Sequence, residues 1–145
     1  MNSGPIDLPA SVLIRGLAQG VALVLEDTLS FWGGFNLANG QIIDVHYPQY
    51  RQRVGSKILC IPRSRGSAGT PGGIAETLRN GSGPIAILLG ERDVNIGVGV
   101  MVGNRLYDLT LPALEISPAD MARIHSGDRV LIDRTGTISV HSPAR

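Results

Sequence analysis

Residues 57–89, KILCIPRSRGSAGTPGGIAETLRNGSGPIAILL, decide the fold class. Lys57 to Ile61 is a short apolar run that reads as a strand. The Gly-rich stretch from Pro62 to Gly73 follows. Ile74, Ala75 and Leu78 then share one helical face, with Pro71 suited to a first turn and Asn80-Gly81 to a stop, so a helix is predicted from near Pro71 to near Asn80. Pro84 introduces Ile85 to Leu89, whose unbroken apolar character predicts a strand buried on both faces. Strand, loop, helix and strand in this order indicate an α/β fold.

Outward from that unit the chain is mostly β in character. Only 4% of residues are aromatic and 19 are Gly, so Val, Ile, Leu and Ala must fill the core between many tight turns, which makes the α/β expectation a β-rich one. Val12–Ile14 and Val21–Leu25, separated by Gly16 and Gly20, are expected to be neighbouring strands. Trp32 abuts the Gly33-Gly34 pair, where backbone can approach a partner or ligand closely. Asn39-Gly40 predicts a turn into a strand over 41–44, and residues 48–56 read as a surface loop. Ile96 to Val102 is a Gly-interrupted apolar run, followed by an extended segment ending at Pro112. Ser117, Pro118 and Asp120 predict a short helix start. Thr135-Gly136 predicts a closing hairpin between residues 128–133 and 137–140. Expected boundaries are a flexible arm over 1–11, one domain over 12–141 and a tail over 142–145.

With 145 residues and 43% hydrophobic composition, the chain has enough core for one compact domain. Its formal net charge is +1 with both signs interspersed, so nothing tracks a nucleic-acid backbone. Lys57 is the only lysine among 13 Lys and Arg, leaving Arg as the main cation. No apolar stretch approaches the roughly 20 residues that span a bilayer, and no basic-then-apolar leader pattern opens the sequence. A cytoplasmic protein is expected. The solitary Cys60 excludes an internal disulfide and a cysteine-only metal cluster, and its apolar neighbours predict a buried thiol. The three histidines are scattered without metal-ligand spacing.

The candidate chemistry lies between Arg63 and Gly73. A junction from buried strand to helix N-terminus offers backbone N–H groups and a favourable dipole to an anion, and small residues leave room for close approach. Arg63 and Arg65 add guanidinium groups suited to carboxylate or phosphate. Ser67, between Gly66 and Ala68-Gly69, can act as a base only where N–H groups and cations stabilise its alkoxide. The loop lacks the Gly-Lys-Ser/Thr ending of a nucleotide-binding loop, and Arg65-Gly-Ser-Ala-Gly69 is not a nucleophile elbow. His46 and Asp44 are secondary candidates, each equally readable as a satisfied strand-end residue.

Taken in order, several features resemble the swivel-domain small subunit of the aconitase X family. They are Gly16 to Gly20 leading into Ala22–Leu25, the box from Leu29 to Gly34, the turn from Gly40 to Asp44 with His46 and Pro48, Arg65-Gly66-Ser67, Gly83-Pro84 and the Gly127-Asp128 hairpin, spanning roughly residues 13–141. The resemblance implies a swivelling β/β/α domain that docks over a large catalytic subunit carrying an iron–sulfur cluster, and a hydro-lyase inactive without that partner. It assigns Ser67 as the proton acceptor and Arg65, Gly66, Arg63, Gly33 and Gly34 to substrate binding, with no metal ligand in this chain.

Two reactions go with the family, dehydration of cis-3-hydroxy-L-proline and dehydration of mevalonate 5-phosphate. Relatives often continue Arg-Gly-Ser with further serines, whereas this chain has Ala68-Gly69-Thr70-Pro71. Fewer hydroxyls at the helix start favour the hydroxyproline reaction over phosphate recognition. The other readings are a phosphomevalonate dehydratase small subunit and a non-catalytic module that binds an anion for regulation.

Overall fold

A computed structural model describes residues 4–31, 34, 36–63 and 69–143. The strands are β1 (Ile6–Leu8), β2 (Ser11–Ile14), β3 (Ala18–Val24), β4 (Lys57–Ile61), β5 (Ala86–Leu89), β6 (Ala113–Glu115), β7 (Arg129–Ile132) and β8 (Ile138–His141). The helices are α1 (Thr70–Asn80), α2 (Val94–Tyr107) and α3 (Pro118–Met121). All eight strands join one sheet in the order β1-β8-β7-β3-β4-β5-β6-β2. Strands β3, β4, β5 and β6 run parallel, and the flanking pairs are antiparallel.

The two ends of that order are joined by Pro9-Ala10 alone, so the sheet must curl until its edges approach. The turn between β7 and β8 accordingly reaches β2: a Cβ on Gly136 would lie 2.5 Å from Val12 Cγ2, and Arg15 donates to the Arg134 carbonyl at 3.1 Å. Alternation along each strand then divides the core in two. Ile58, Cys60, Ala86 and Leu88 point inside the curl with Leu8, Val130 and Val140. Leu59, Ile61, Ile87 and Leu89 face the helices with Ile74, Leu78, Ile96 and Val100. The result is a sheet-rich α/β fold of two β layers and one helical layer.

The strand, helix and strand predicted within residues 57–89 form, with residues 64–68 outside the described residues, and Gly81, at φ 77°, ends α1 in the left-handed conformation. The hairpin and the Ser117 cap of α3 also form, the latter accepting the Asp120 N–H at 3.1 Å. Several expectations are corrected. Residues 6–8, within the expected arm, pair with β8, and Leu8 is only 2% exposed. Strands β2 and β3 are not neighbours but pair with β6 and with β4 and β7. Residues 41–44 form no strand, and Gln41 makes an isolated bridge to Arg53. The loop over 48–56 is not wholly superficial, since Val54 is fully buried.

Residues 94–107 form a helix, which takes in the Gly-interrupted apolar run over 96–102 and the first part of the segment expected to be extended. Asp93 caps α2 by accepting the Asn95 and Ile96 N–H groups, and glycines let α2 lie directly on α1. A Cβ at Gly99 would sit 3.0 Å from Pro71 Cα, and one at Gly103 would sit 2.5 Å from Leu78 Cδ1.

Candidate functional site

Parallel strands followed by helices place their carboxyl ends and the helix N-termini at one edge, where open α/β sheets hold ligands. Here that edge gathers Glu26 after β3, Pro62-Arg63 after β4 and Gly90 after β5. Arg63 is exposed there, and Gly69 begins α1 with no side-chain cap, followed by Pro71 and no acidic residue in the first turn. Such a helix start keeps its positive end uncancelled by the chain's own carboxylates.

Glycines seat both ends of the loop between Arg63 and Gly69. Gly90 donates to the Ile61 carbonyl at 2.9 Å, and a Cβ at Gly90 would come within 2.6 Å of the Pro62 carbonyl oxygen. At the other end, a Cβ at Gly73 would collide with the carbonyl of Phe31, a residue only 1% exposed. Phe31 therefore lies against the first turn of α1. Gly34 donates to the Ser30 carbonyl at 2.9 Å and accepts from the Ile43 N–H at 3.2 Å, and a Cβ on it would meet the Ser30 carbonyl at 2.6 Å. Its glycine identity is required by the turn.

Of the predicted site residues, Arg63 lies exposed just after β4, and Gly34 sits in a turn with Ser30 and Ile43. Arg65, Gly66, Ser67 and Gly33, together with Trp32, lie outside the described residues. Asp44 and His46 are exposed, and the Asp44 carboxylate accepts the His46 N–H at 2.9 Å within a turn. Phe31, Gly73 and Gly90 were not singled out from sequence, although the Gly72-Gly73 pair at a helix start was a usable signal.

Beside Pro62 opens a cavity of about 350 Å³, walled by Val24, Leu25, Pro118, Met121 and Ile124, with Glu26 and Gly90 at its margin. Glu26 is the one ionisable side chain among the lining residues. Among the described residues no group of His, Cys, Asp and Glu is arranged to hold a metal ion. Cys60 lies in the sheet interior, fully buried, and burial reinforced by the Asp128 charge pushes its thiol up to about 12. A thiol so held is unsuited to ligate a metal or cluster, because the thiolate is the ligand form. Nor is any helix long and apolar enough to cross a membrane among the described residues.

Comparison with known proteins gives a consistent result. A family model described as the aconitase X swivel domain matches residues 7–140. A cis-3-hydroxy-L-proline dehydratase of Hypocrea jecorina is 30% identical over 90% of this chain, and one of Pseudomonas aeruginosa is 35% identical over 69%. The matches cover 23% and 17% of those two proteins, so the chain spans less than a quarter of their length. A phosphomevalonate dehydratase small subunit of Pyrococcus furiosus is 28% identical over 83% of this chain and 84% of its own length. Among solved structures, the crystal structure of Thermococcus kodakaraensis aconitase X in its holo-form superposes with a TM-score of 0.83 at 25% identity, covering 94% of this chain and 99% of that one.

Proposed function

The chain belongs to the aconitase X swivel domain family, and on that premise we propose that it is the small subunit of a dehydratase completed by a large catalytic partner. The observation that carries this reading is the strand-to-helix junction between Pro62 and Gly73, which sets Arg63 and an uncapped helix start at the carboxyl edge of the parallel strands. In this reading Ser67 takes the proton from the carbon beside a substrate carboxylate, the new double bond forms, and the β-hydroxyl departs as water. Arg65 and Arg63 hold the carboxylate and stabilise the serine alkoxide, while Gly66, Gly33 and Gly34 give the substrate close backbone approach. The iron–sulfur cluster is assigned to the partner, since this chain's solitary cysteine is sealed in the core.

The substrate is proposed to be cis-3-hydroxy-L-proline. The apolar cavity beside Pro62 supports this: its walls suit a pyrrolidine ring, and Glu26 complements a ring ammonium group. The second reading is dehydration of mevalonate 5-phosphate, favoured by the near full-length match to phosphomevalonate dehydratase small subunits. The protein is proposed to act in the cytoplasm.

The test is Ser67→Ala, assayed on both substrates with the large partner present. Turnover is expected to fall about 10²- to 10⁴-fold, the usual contribution of a positioned base, while co-elution of the two subunits persists. Near-normal turnover rejects Ser67 as the base. Wild-type turnover of mevalonate 5-phosphate but not of the proline selects the second reading.

A further inference from the structure

We propose that the outer face of α2, with the groove it forms against β2, is the surface on which the large catalytic partner docks. The inference rests on the reading of this chain as a dehydratase small subunit and adds where that partner sits. Val94, Val98, Met101 and Arg105 recur at helical spacing and form one stripe along α2. Val94 is 69% exposed and Met101 53%, and Leu106 beside them is 65% exposed. The outer flank of a surface helix ordinarily carries polar side chains, and a contiguous apolar one marks an interaction surface. Between this stripe and Val12, Leu13 and Ile14 of β2 runs a groove of about 230 Å³.

Gly97, which lines that groove, points to an occupant. Gly99 and Gly103 are needed to bring α2 onto α1, but a Cβ on Gly97 would make only ordinary contact, 3.6 Å from Leu13 Cδ2. Its backbone is helical, where glycine is the poorest choice after proline. Alanine would serve this chain's own fold better, and what glycine provides instead is room in the groove for an apolar side chain from outside. Arg105, the one charged side chain of the stripe, makes no ion pair among the described residues, which suits a carboxylate on the occupant.

The place of the stripe identifies that occupant. It starts at Val94, four residues after Gly90, at the edge where the cavity beside Pro62 opens. A partner that completes an active site at this edge lies next to the stripe. The two matched cis-3-hydroxy-L-proline dehydratases carry more than three quarters of their length outside the part this chain matches, and that remainder needs a face of the domain to pack on. A second copy would present the same stripe, which holds an arginine and no carboxylate.

The experiment titrates the full chain into the aconitase X large chain of the same organism by calorimetry, beside thermal unfolding and sedimentation of the chain alone. Gly97→Ala is expected to raise the Tm of the chain alone by about 2–5 °C, as alanine replaces a helical glycine. The same variant should bind the large chain about 5- to 10-fold more weakly, because its methyl group fills the groove. Met101→Asp, at an exposed position, should weaken binding about 30-fold or more. A merely structural role cannot give firmer folding together with weaker binding. Wild-type affinity in both variants overturns the proposal and leaves the subunit reading in place. A lowered Tm in Gly97→Ala returns that glycine to the fold's own packing and also overturns it, as does a chain that sediments alone as a dimer and becomes a monomer in Met101→Asp. If the wild-type chain has no affinity for the large chain, the subunit reading falls and the docking surface falls with it.

Discussion

The fully buried Asp128 carboxylate accepts the backbone N–H of His125 at 2.9 Å, closing the turn that leads into β7. The same turn is stitched to β3, where Ala22 donates to the Asp128 carbonyl at 2.8 Å and Gly127 donates to the Ala22 carbonyl at 3.0 Å. Removing the carboxylate deletes a hydrogen bond to a charged group. Asp128→Ala is therefore expected to cost about 1.5–3 kcal/mol, the usual contribution of such a bond. Urea denaturation checks it, and an unmoved midpoint would show that the carboxylate contributes nothing to stability.

Cys60 gives a second prediction because burial, reinforced by the Asp128 charge, holds its thiol up at about 12 in the folded chain, above the ordinary thiol value near 9. The folded state holds its proton where the unfolded state releases it. The stabilisation from this group is therefore complete below pH 9 and declines as pH rises from 9 towards 12. Cys60→Ala should remove that portion of the alkaline slope in denaturation curves. In the folded chain at pH 8 the thiol should resist iodoacetamide, and it should react once urea unfolds the protein. Rapid alkylation of the native chain would contradict its burial.

The third prediction concerns the start of α2, where Asp93 Oδ1 accepts the Asn95 N–H at 2.8 Å and the Ile96 N–H at 3.4 Å. Replacing this cap with alanine should cost about 1 kcal/mol, and Asp93→Ser should recover most of it. Thermal unfolding distinguishes the two, and equal Tm values for wild type and Asp93→Ala would remove the cap from the account of α2.

These elements also show what was legible in the residues. The strand at 57–61, helix α1 and the final hairpin were readable because their signals are local: an apolar run, a Pro–Gly frame around a 3.6-residue stripe, and a turn dipeptide. Helix α2 was not. Gly97 and Gly99 read as interruptions of an apolar run, whereas Gly99 and Gly103 admit Pro71 and Leu78 of the neighbouring helix. Its outer side also keeps Val94, Met101 and Leu106 exposed, which erases the polar contrast that betrays a surface helix. The Asp93 cap was the available clue. Strand β1 was missed for a different reason, since three residues between prolines acquire meaning only through pairing with β8 at the opposite end of the chain. Of the candidate site, the strand-to-helix order around Arg63 was legible, while the close approach of Gly73 to Phe31 and of Gly90 to Pro62 depends on packing between distant segments.

The pairing of the first strand with the last also sets the order of assembly. A nascent chain leaving the ribosome exposes Ile6–Leu8 long before Ile138–His141 has been made, so this strand has no mate until β8 emerges. Closure of the curled sheet thus follows the making of β8 and is governed by contacts between strands far apart in sequence, and folds of that kind are slow to mature.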